Sequence, residues 1–160
     1  MTCFNDQKGR SWALCVTVQT LRRVKAQCGI NLTDIILLKP EETPDVSLLE
    51  QLANDPVLLV DVLYAALSDE SEARGVSAQD FGESMAGDAI EAATEALLDE
   101  VIAFFPLAKR RTLQRLMEVS RRFAERQKET LETLLASPDL ETEIERALTS
   151  SGSSSTAPAS

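Results

Sequence analysis

Apolar and polar positions alternate at the start of the chain and then follow helical spacing. Residues 11–18 alternate large apolar side chains with smaller or polar ones, a pattern typical of a half-buried strand. Residues 5–10 are turn formers, so residues 2–4 and 11–18 are predicted to pair as a β-hairpin. A two-stranded hairpin is only marginally stable alone, so its apolar face must pack on the segments that follow. Trp12, its largest apolar residue, is expected first in the core and only second as a binding anchor.

Two short segments come next. Apolar residues recur at i, i+3 and i+7 from Leu21 among basic residues, which predicts a short basic helix over residues 20–28. Gly29 suits the left-handed position that ends a helix. Residues 35–38 form an apolar run that fits either a helical turn or a strand, and the pattern leaves both open.

The strongest start signal for a helix is Asp55 followed by Pro56, because proline suits the first helical turn and the acid favours the positive end of the helix dipole. Residues 57–67 are apolar nearly all round, which predicts a helix surrounded by the others at the centre of the core. Asp61 lies inside this run. Since a buried carboxylate is costly unless paired, Asp61 either faces the rim or meets an arginine, and the rim is favoured.

The remaining pattern is helical up to a polar tail. Further helices are predicted after Asp45 or Ser47, from Ser77 through Met85, and over residues 88–105, 108–136 and 138–148. In the helix over 88–105, the expected inward residues are Ile90, Ala93, Leu97, Val101 and Phe104, and the outward ones Glu91, Glu95, Asp99 and Glu100. Residues 150–160 are Ser, Thr, Ala, Pro and Gly only, and such a segment is predicted to be disordered. The predicted fold is mainly α, with a small N-terminal β-hairpin packed on a compact helical bundle in one domain over residues 1–149.

The net charge and its distribution limit the classes of partner that the sequence favours. The net charge of −10 argues against a phosphate-neutralising surface, so nucleic acid is not an expected partner. Residues 41–105 carry one basic and sixteen acidic residues, and the flanking segments are basic. Either these complementary segments meet or each charge run is a solvated helix face. No apolar run approaches the roughly 20 residues that cross a bilayer, and the first ten residues lack the order of a secretory signal, so a cytoplasmic protein is expected.

The sequence contains few residues in arrangements suited to catalysis. The chain has no histidine, which removes the usual base of nucleophilic triads and the commonest metal ligand. Its three cysteines form no C-x-x-C pair and are expected to be small buried hydrophobes. Glu91, Glu95 and Asp99 share one helix face, but they are interpreted as an exposed acidic stripe. We expect no cofactor, no metal and no enzymatic activity, with an enzyme based on acidic residues alone as a remote alternative.

Several short motifs carry a resemblance to a known family. Their order is Gly9-Arg10-Ser11-Trp12, Leu21-Arg22-Arg23-Val24, Leu52-Ala53-Asn54-Asp55-Pro56-Val57-Leu58, Asp80-Phe81-Gly82 and Ala86-Gly87-Asp88-Ala89-Ile90-Glu91-Ala92-Ala93. Over roughly residues 4–135 the chain resembles bacteriophage tail assembly chaperones, which are encoded beside the tape-measure gene. The resemblance implies a protein that binds the long helical tape-measure protein and keeps it soluble and competent during tail assembly. A structural or head–tail connector subunit of a phage particle is the alternative, and homo-oligomerisation on the partner is left open.

The helix over residues 108–136 is the candidate partner-binding surface because it combines large apolar residues with dense arginine. The expected anchoring residues are Leu113, Arg115, Leu116, Arg122 and Phe123. In the alternative interpretation, the apolar row closes the intramolecular core and the arginines face the acidic segment. The sequence leaves both open.

Overall fold

The computed structural model describes residues 1–150. They form two strands and eight α-helices, which confirms the predicted mainly α fold with an N-terminal hairpin. The elements are β1 (Thr2–Asn5), β2 (Ser11–Leu14), α1 (Val18–Cys28), α2 (Ser47–Asn54), α3 (Pro56–Ala66), α4 (Ser68–Arg74), α5 (Ala78–Glu83), α6 (Asp88–Phe104), α7 (Leu107–Leu135) and α8 (Pro138–Ser150). Beyond Ser150, the predicted disordered tail lies outside the described residues.

The chain divides into two compact units, where the sequence predicted one domain over residues 1–149. The first unit is Met1–Gln114, and the second begins at Arg115. All the apolar residues that are buried belong, among residues 1–150, to the first unit. The boundary falls inside α7, in which Leu113 is the last buried residue.

The hairpin is shorter than predicted. Strands β1 and β2 pair antiparallel with Phe4 opposite Trp12. The prediction of a strand up to residue 18 is wrong, because Thr17 caps α1 by accepting a hydrogen bond from the Thr20 backbone N–H. Helix α1 ends at Gly29, whose φ of 70° is the predicted left-handed stop.

The inner face of the hairpin packs in the core of the first unit, where Trp12 is fully buried, as predicted. Its ring meets the Phe81 ring edge-on, with centroids 5.2 Å apart. The prediction of buried cysteines is wrong for two of the three. Cys3 lies on the outer face of β1 and is exposed, Cys15 directly after β2 is also exposed, and Cys28 is half-buried.

Residues 35–38, for which the sequence left a helical turn and a strand both open, form neither a full helix nor a full strand. A 3₁₀ turn over Leu32–Asp34 precedes them, and Leu37 forms an isolated antiparallel bridge with Asp45. Asp45 then accepts a hydrogen bond of 3.0 Å from the Ser47 backbone N–H at the start of α2. This local turn confirms the predicted helix start near Asp45 and Ser47.

Helix α3 starts where predicted, since the Asp55 side chain accepts a hydrogen bond of 3.0 Å from the Leu58 backbone N–H. Its buried residues, which belong to the core, are Leu59, Val62, Leu63 and Ala65. The expectation that the helix is surrounded on all sides is wrong, because Val57 is 70% exposed. Asp61 is exposed, which confirms its place on the rim.

Helix α4 was not predicted, because its residues are almost all polar and show no apolar periodicity. Two small serines let it pack: Ser71 is fully buried and donates a hydrogen bond of 3.0 Å to the Ser68 carbonyl. Gly75 then ends α4 in the left-handed region, at a φ of 65°. Ser77 caps α5 by accepting from the Asp80 backbone N–H, as predicted.

Helix α6 buries Ala93, Leu97 and Val101 as predicted. Two predictions for this helix are wrong: Glu100 is buried and Phe104 is 36% exposed. Glu100 can be buried because it has partners, which are the Met1 ammonium at 2.7 Å, the Thr2 hydroxyl at 2.8 Å and the Val16 backbone N–H at 3.4 Å.

A tight corner joins α6 to α7, and at this corner Phe105 is in the core instead of Phe104. Phe105 is 8% exposed. Arg110 donates hydrogen bonds to the Ala103 carbonyl at 2.8 Å and to the Phe105 carbonyl at 3.2 Å. The guanidinium therefore satisfies carbonyls at the end of α6, while Pro106 prevents that helix from continuing.

Candidate protein-binding surfaces

Residues 115–150 form a helical arm without a core of their own. None of these residues is buried, and seven large apolar side chains among them are exposed. Those exposed side chains are Val119, Phe123, Leu131, Leu134, Leu135, Ile144 and Leu148. Helices in proteins gain most of their stability from packing an apolar face against another surface. Helices whose apolar side chains are exposed, as here, are therefore suited to binding another protein.

The structure separates the predicted anchoring residues. Leu113 is fully buried in the first unit, so its assignment to an exposed row is wrong. Leu116 is half-buried and Phe123 is 63% exposed. Arg115 and Arg122 are both exposed, and Arg122 forms an ion pair of 2.5 Å with a glutamate one turn earlier.

The arm face contains one residue that the prediction left out. Val119 is 67% exposed and lies between Leu116 and Phe123 at i+3 and i+4 spacing. These three side chains therefore share one face of α7. The i+3 and i+4 spacing is visible in the sequence, so Val119 is the one anchor that periodicity alone identifies. We call Leu116, Val119 and Phe123 the arm stripe.

The charge of the arm changes along its length. Residues 115–128 carry five basic and two acidic residues, whereas residues 129–150 carry one basic and six acidic residues. The basic part holds the arm stripe and continues into a shallow depression of about 510 Å³, which is lined by Phe123, Arg126, Gln127, Thr130 and Leu131. The arm thus offers a basic, apolar surface first and an acidic, apolar surface after it.

A second apolar surface lies on the first unit, between α3, α5 and α6. It is an open groove of about 300 Å³, and we call it the α3–α5 groove. Its lining residues are Pro56, Val57, Val60, Asp61, Ala78, Gly82, Met85 and Ile90. Val57 in this lining is 70% exposed, and a Cβ at Gly82 would meet no atom within 4 Å. This groove was not predicted, because the apolar residues among 57–67 were all expected in the core.

The helices that build the α3–α5 groove are acidic. Together α3, α5 and α6 carry eight acidic residues and no lysine or arginine. Asp80 and Glu100 are engaged with the hairpin and the N-terminus. Asp61, which lines the groove itself, forms no ion pair with any residue in the described range 1–150. The groove therefore combines an apolar lining with the negative charge of Asp61.

The hairpin turn carries a cluster of charged residues centred on Asp6. One oxygen of its buried carboxylate accepts hydrogen bonds of 2.9 Å from the backbone N–H groups of Lys8 and Arg10. The other accepts from the Arg10 Nε at 2.7 Å and from the Trp12 Nε1 at 3.0 Å. Burial acts to raise the pKa of Asp6, but the hydrogen bonds from Trp12 and Arg10 outweigh it and lower the pKa to about 2.

The same cluster attaches the hairpin to the helices beneath it. Asp80 on α5 accepts from the Arg10 guanidinium at 2.6 Å and also pairs with Lys8. Arg74 lies over the Trp12 ring, with its guanidinium carbon 4.9 Å from the ring centroid. Of the Arg10 nitrogens, Nε and Nη1 are paired, whereas the buried Nη2 has no hydrogen-bond partner in the described residues. The remaining contacts of the cluster join the hairpin to α5 and hold this part of the fold together.

Groups suited to chemistry are sparse in the described part of the chain. Within residues 1–150, no three His, Cys, Asp or Glu side chains are grouped closely enough to hold a metal ion. Glu91, Glu95 and Asp99 are exposed on α6, as the sequence predicts. The pKa of Cys28 is raised, first by burial and second by the nearby Asp61 carboxylate, which disfavours a reactive thiolate.

None of the helices described in residues 1–150 is long and apolar enough to cross a membrane. Comparison with protein-family models, with curated proteins and with solved structures finds no match. The case for function therefore depends on the surfaces described above and on the resemblance of the motifs.

Proposed function

We propose that this protein is an assembly chaperone that binds an elongated helical partner through its arm. The observation that supports the proposal is the set of large apolar side chains on residues 115–150, where no residue is buried. Leaving so much apolar surface uncovered is unfavourable in water, and covering it by a partner would stabilise the complex.

The arm stripe and its arginines are the proposed anchors. Phe123 and Val119 offer apolar area, and Arg115 and Arg122 flank them with charge. The arm stripe has its apolar residues at i, i+3 and i+7, which is a spacing by which one helix packs against another. The partner that fits is a helix with an apolar face and acidic flanking positions.

The resemblance to tail assembly chaperones identifies the proposed partner more closely. A tape-measure protein is a long, mainly helical chain, and several copies of a small helical protein could cover its apolar faces before the tail tube surrounds it. On this proposal the protein acts in the cytoplasm of the phage-infected host.

The test is co-expression with the long helical protein encoded next to this gene. The wild-type chain is expected to keep that protein in the soluble fraction and to co-purify with it. The double variant Val119→Ser, Phe123→Ser is expected to lose both effects, and Val18→Ser is the matched control because Val18 is also exposed, at 56%, but lies outside the arm. Melting temperatures of the free variants should match the wild type, because both arm residues are exposed.

A second pair of changes separates interface from scaffold. Arg115→Glu with Arg122→Glu should abolish co-purification while the free protein keeps its melting temperature. A sharp drop in melting temperature before any partner is added would instead assign these arginines to the protein's own stability. Co-purification that survives both double variants would contradict the arm as the binding site.

Mass spectrometry of purified phage particles tests the chaperone role itself. A chaperone should be absent from particles or present only in traces. A stoichiometric amount would replace the chaperone proposal with that of a structural or connector subunit.

A further inference from the structure

Two exposed surfaces of this protein complement each other in both charge and apolar character. The α3–α5 groove has an apolar lining with Asp61 and is built from helices without a single basic residue. The arm stripe is apolar and lies in residues 115–128, a segment that contains five basic and two acidic residues. We propose that the groove of one copy binds the arm stripe of a second copy, so that the free protein self-associates head to tail.

The groove selects for a helix of this kind. Val57 and Val60 on α3 and Ile90 on α6 supply apolar contacts along its length. Gly82 leaves the α5 side open enough for a side chain to approach the backbone closely. Asp61 lies inside this lining without an ion-pair partner in residues 1–150, so covering it with a purely apolar surface would cost free energy, and an arriving guanidinium offsets that cost.

The described chain carries the matching combination in its own arm. Phe123 and Val119 are the exposed apolar residues of the basic part of α7. Arg115 and Arg126 lie on either side of them, and neither forms an ion pair in residues 1–150. The acidic surface of α8 would instead be repelled by the groove, which makes the basic part of α7 the better occupant.

A contact between two different surfaces has a consequence for assembly. Each copy offers one groove and one arm stripe, so association can continue from copy to copy and yields rings or open chains. If the arm also binds the partner, as in the proposed function, then the partner and a second copy compete for the same face. That competition depends on the proposed function, whereas the self-association does not.

The mass of the purified protein in solution is the first test. Sedimentation velocity over a range of concentrations should show species heavier than 17.5 kDa that grow with concentration. Raising the ionic strength from ~0.1 M to ~1 M should weaken association, because the Debye length falls from about 10 Å to about 3 Å. A monomer at every concentration would overturn the proposal, and so would a change in shape that does not depend on concentration.

Variants then test the head-to-tail geometry. Val57→Lys should disable the groove, because it removes an apolar contact and repels the basic part of α7, and Phe123→Ser should disable the arm stripe. Each should raise the concentration at half-association by about tenfold or more, about 1.4 kcal/mol. Val18→Lys is the control, since it places the same charge at another exposed valine. Equal melting temperatures of the variants and the wild type establish that the fold is intact.

Mixing the two disabled variants gives the sharpest result. Val57→Lys keeps an intact arm and Phe123→Ser keeps an intact groove. At concentrations where the wild type associates, each alone should be mainly monomeric, and an equimolar mixture should form a dimer and nothing larger. Association of the Val57→Lys variant with itself as tight as that of the wild type would show contact between two arms and overturn the proposal. The co-purification test with Val57→Lys is independent: retained partner binding alongside failed self-association leaves the proposed function standing.

Discussion

The Asp6 carboxylate accepts four hydrogen bonds beneath the hairpin turn, so Asp6→Asn is a direct test of what holds the hairpin to the helices. The asparagine is nearly the same size and can still accept from the two backbone N–H groups. Its NH₂ group would face the Trp12 Nε1 and the Arg10 Nε, which are themselves donors. The substitution therefore removes a charge and leaves two donors without an acceptor.

The expected loss can be worked out from the pKa. A pKa of about 2 in the folded protein, against an ordinary value of 3.8, corresponds to about 2 kcal/mol of folded-state stabilisation of the carboxylate. Each buried donor that loses its partner costs about 1–3 kcal/mol more, part of which relaxation recovers. We expect Asp6→Asn to lower the free energy of unfolding by about 2–4 kcal/mol.

Urea denaturation at several pH values measures this effect. The folded pKa of Asp6 is depressed, so its contribution is fully present above about pH 4 and is lost as pH falls towards 2. The difference in unfolding free energy between wild type and Asp6→Asn should therefore shrink over that range. Asp34→Asn is the control, since Asp34 is exposed. An unchanged urea midpoint at pH 7, or a difference that stays constant down to pH 2, would refute the reasoning.

Two further changes test the core of the first unit by thermal and urea denaturation. Leu63→Ala should cost about 2–5 kcal/mol because Leu63 is fully buried, while Val57→Ala on the same helix should change little, and equal effects would contradict the assigned core. Glu100→Gln should lower the free energy of unfolding by about 1–3 kcal/mol, because the buried carboxylate accepts from the Met1 ammonium and the Thr2 hydroxyl. Glu91→Gln on the exposed face of α6 is the control. A loss no larger than that of the control would contradict a stabilising role for Glu100.

Local signals in the sequence were enough to locate most helix ends. Asp55 with Pro56, Ser77 and Gly29 each act through their own backbone and nearest neighbours, and the structure places all three as predicted. Helix α4 was missed because its stability comes from packing two serines closely, which leaves no apolar periodicity to detect. Patterns that depend on neighbours in sequence were predictable, and those that depend on neighbours in space were not.

The same distinction explains Glu100. On α6 it follows the outward spacing of the acidic stripe, but the start of the chain supplies an ammonium and a hydroxyl that compensate its burial. These partners are about 100 residues away in sequence, with Thr2 and Glu100 separated by 98 positions. No periodicity in α6 could show that a carboxylate there is paired.

The candidate surfaces depended on knowing which apolar residues the core leaves out. Leu113 and Phe123 look equivalent in the sequence, since both are large apolar residues among arginines on one long helix. Burial separates them: the core of the first unit takes Leu113 and no described residue beyond it. Beyond Leu113 no residue in the described range is buried, and seven large apolar side chains of the arm are exposed. A helix that keeps its apolar face after leaving its own core is best explained by a second surface that covers it, and the proposals differ only in whether that surface is an elongated helical partner or another copy of this protein.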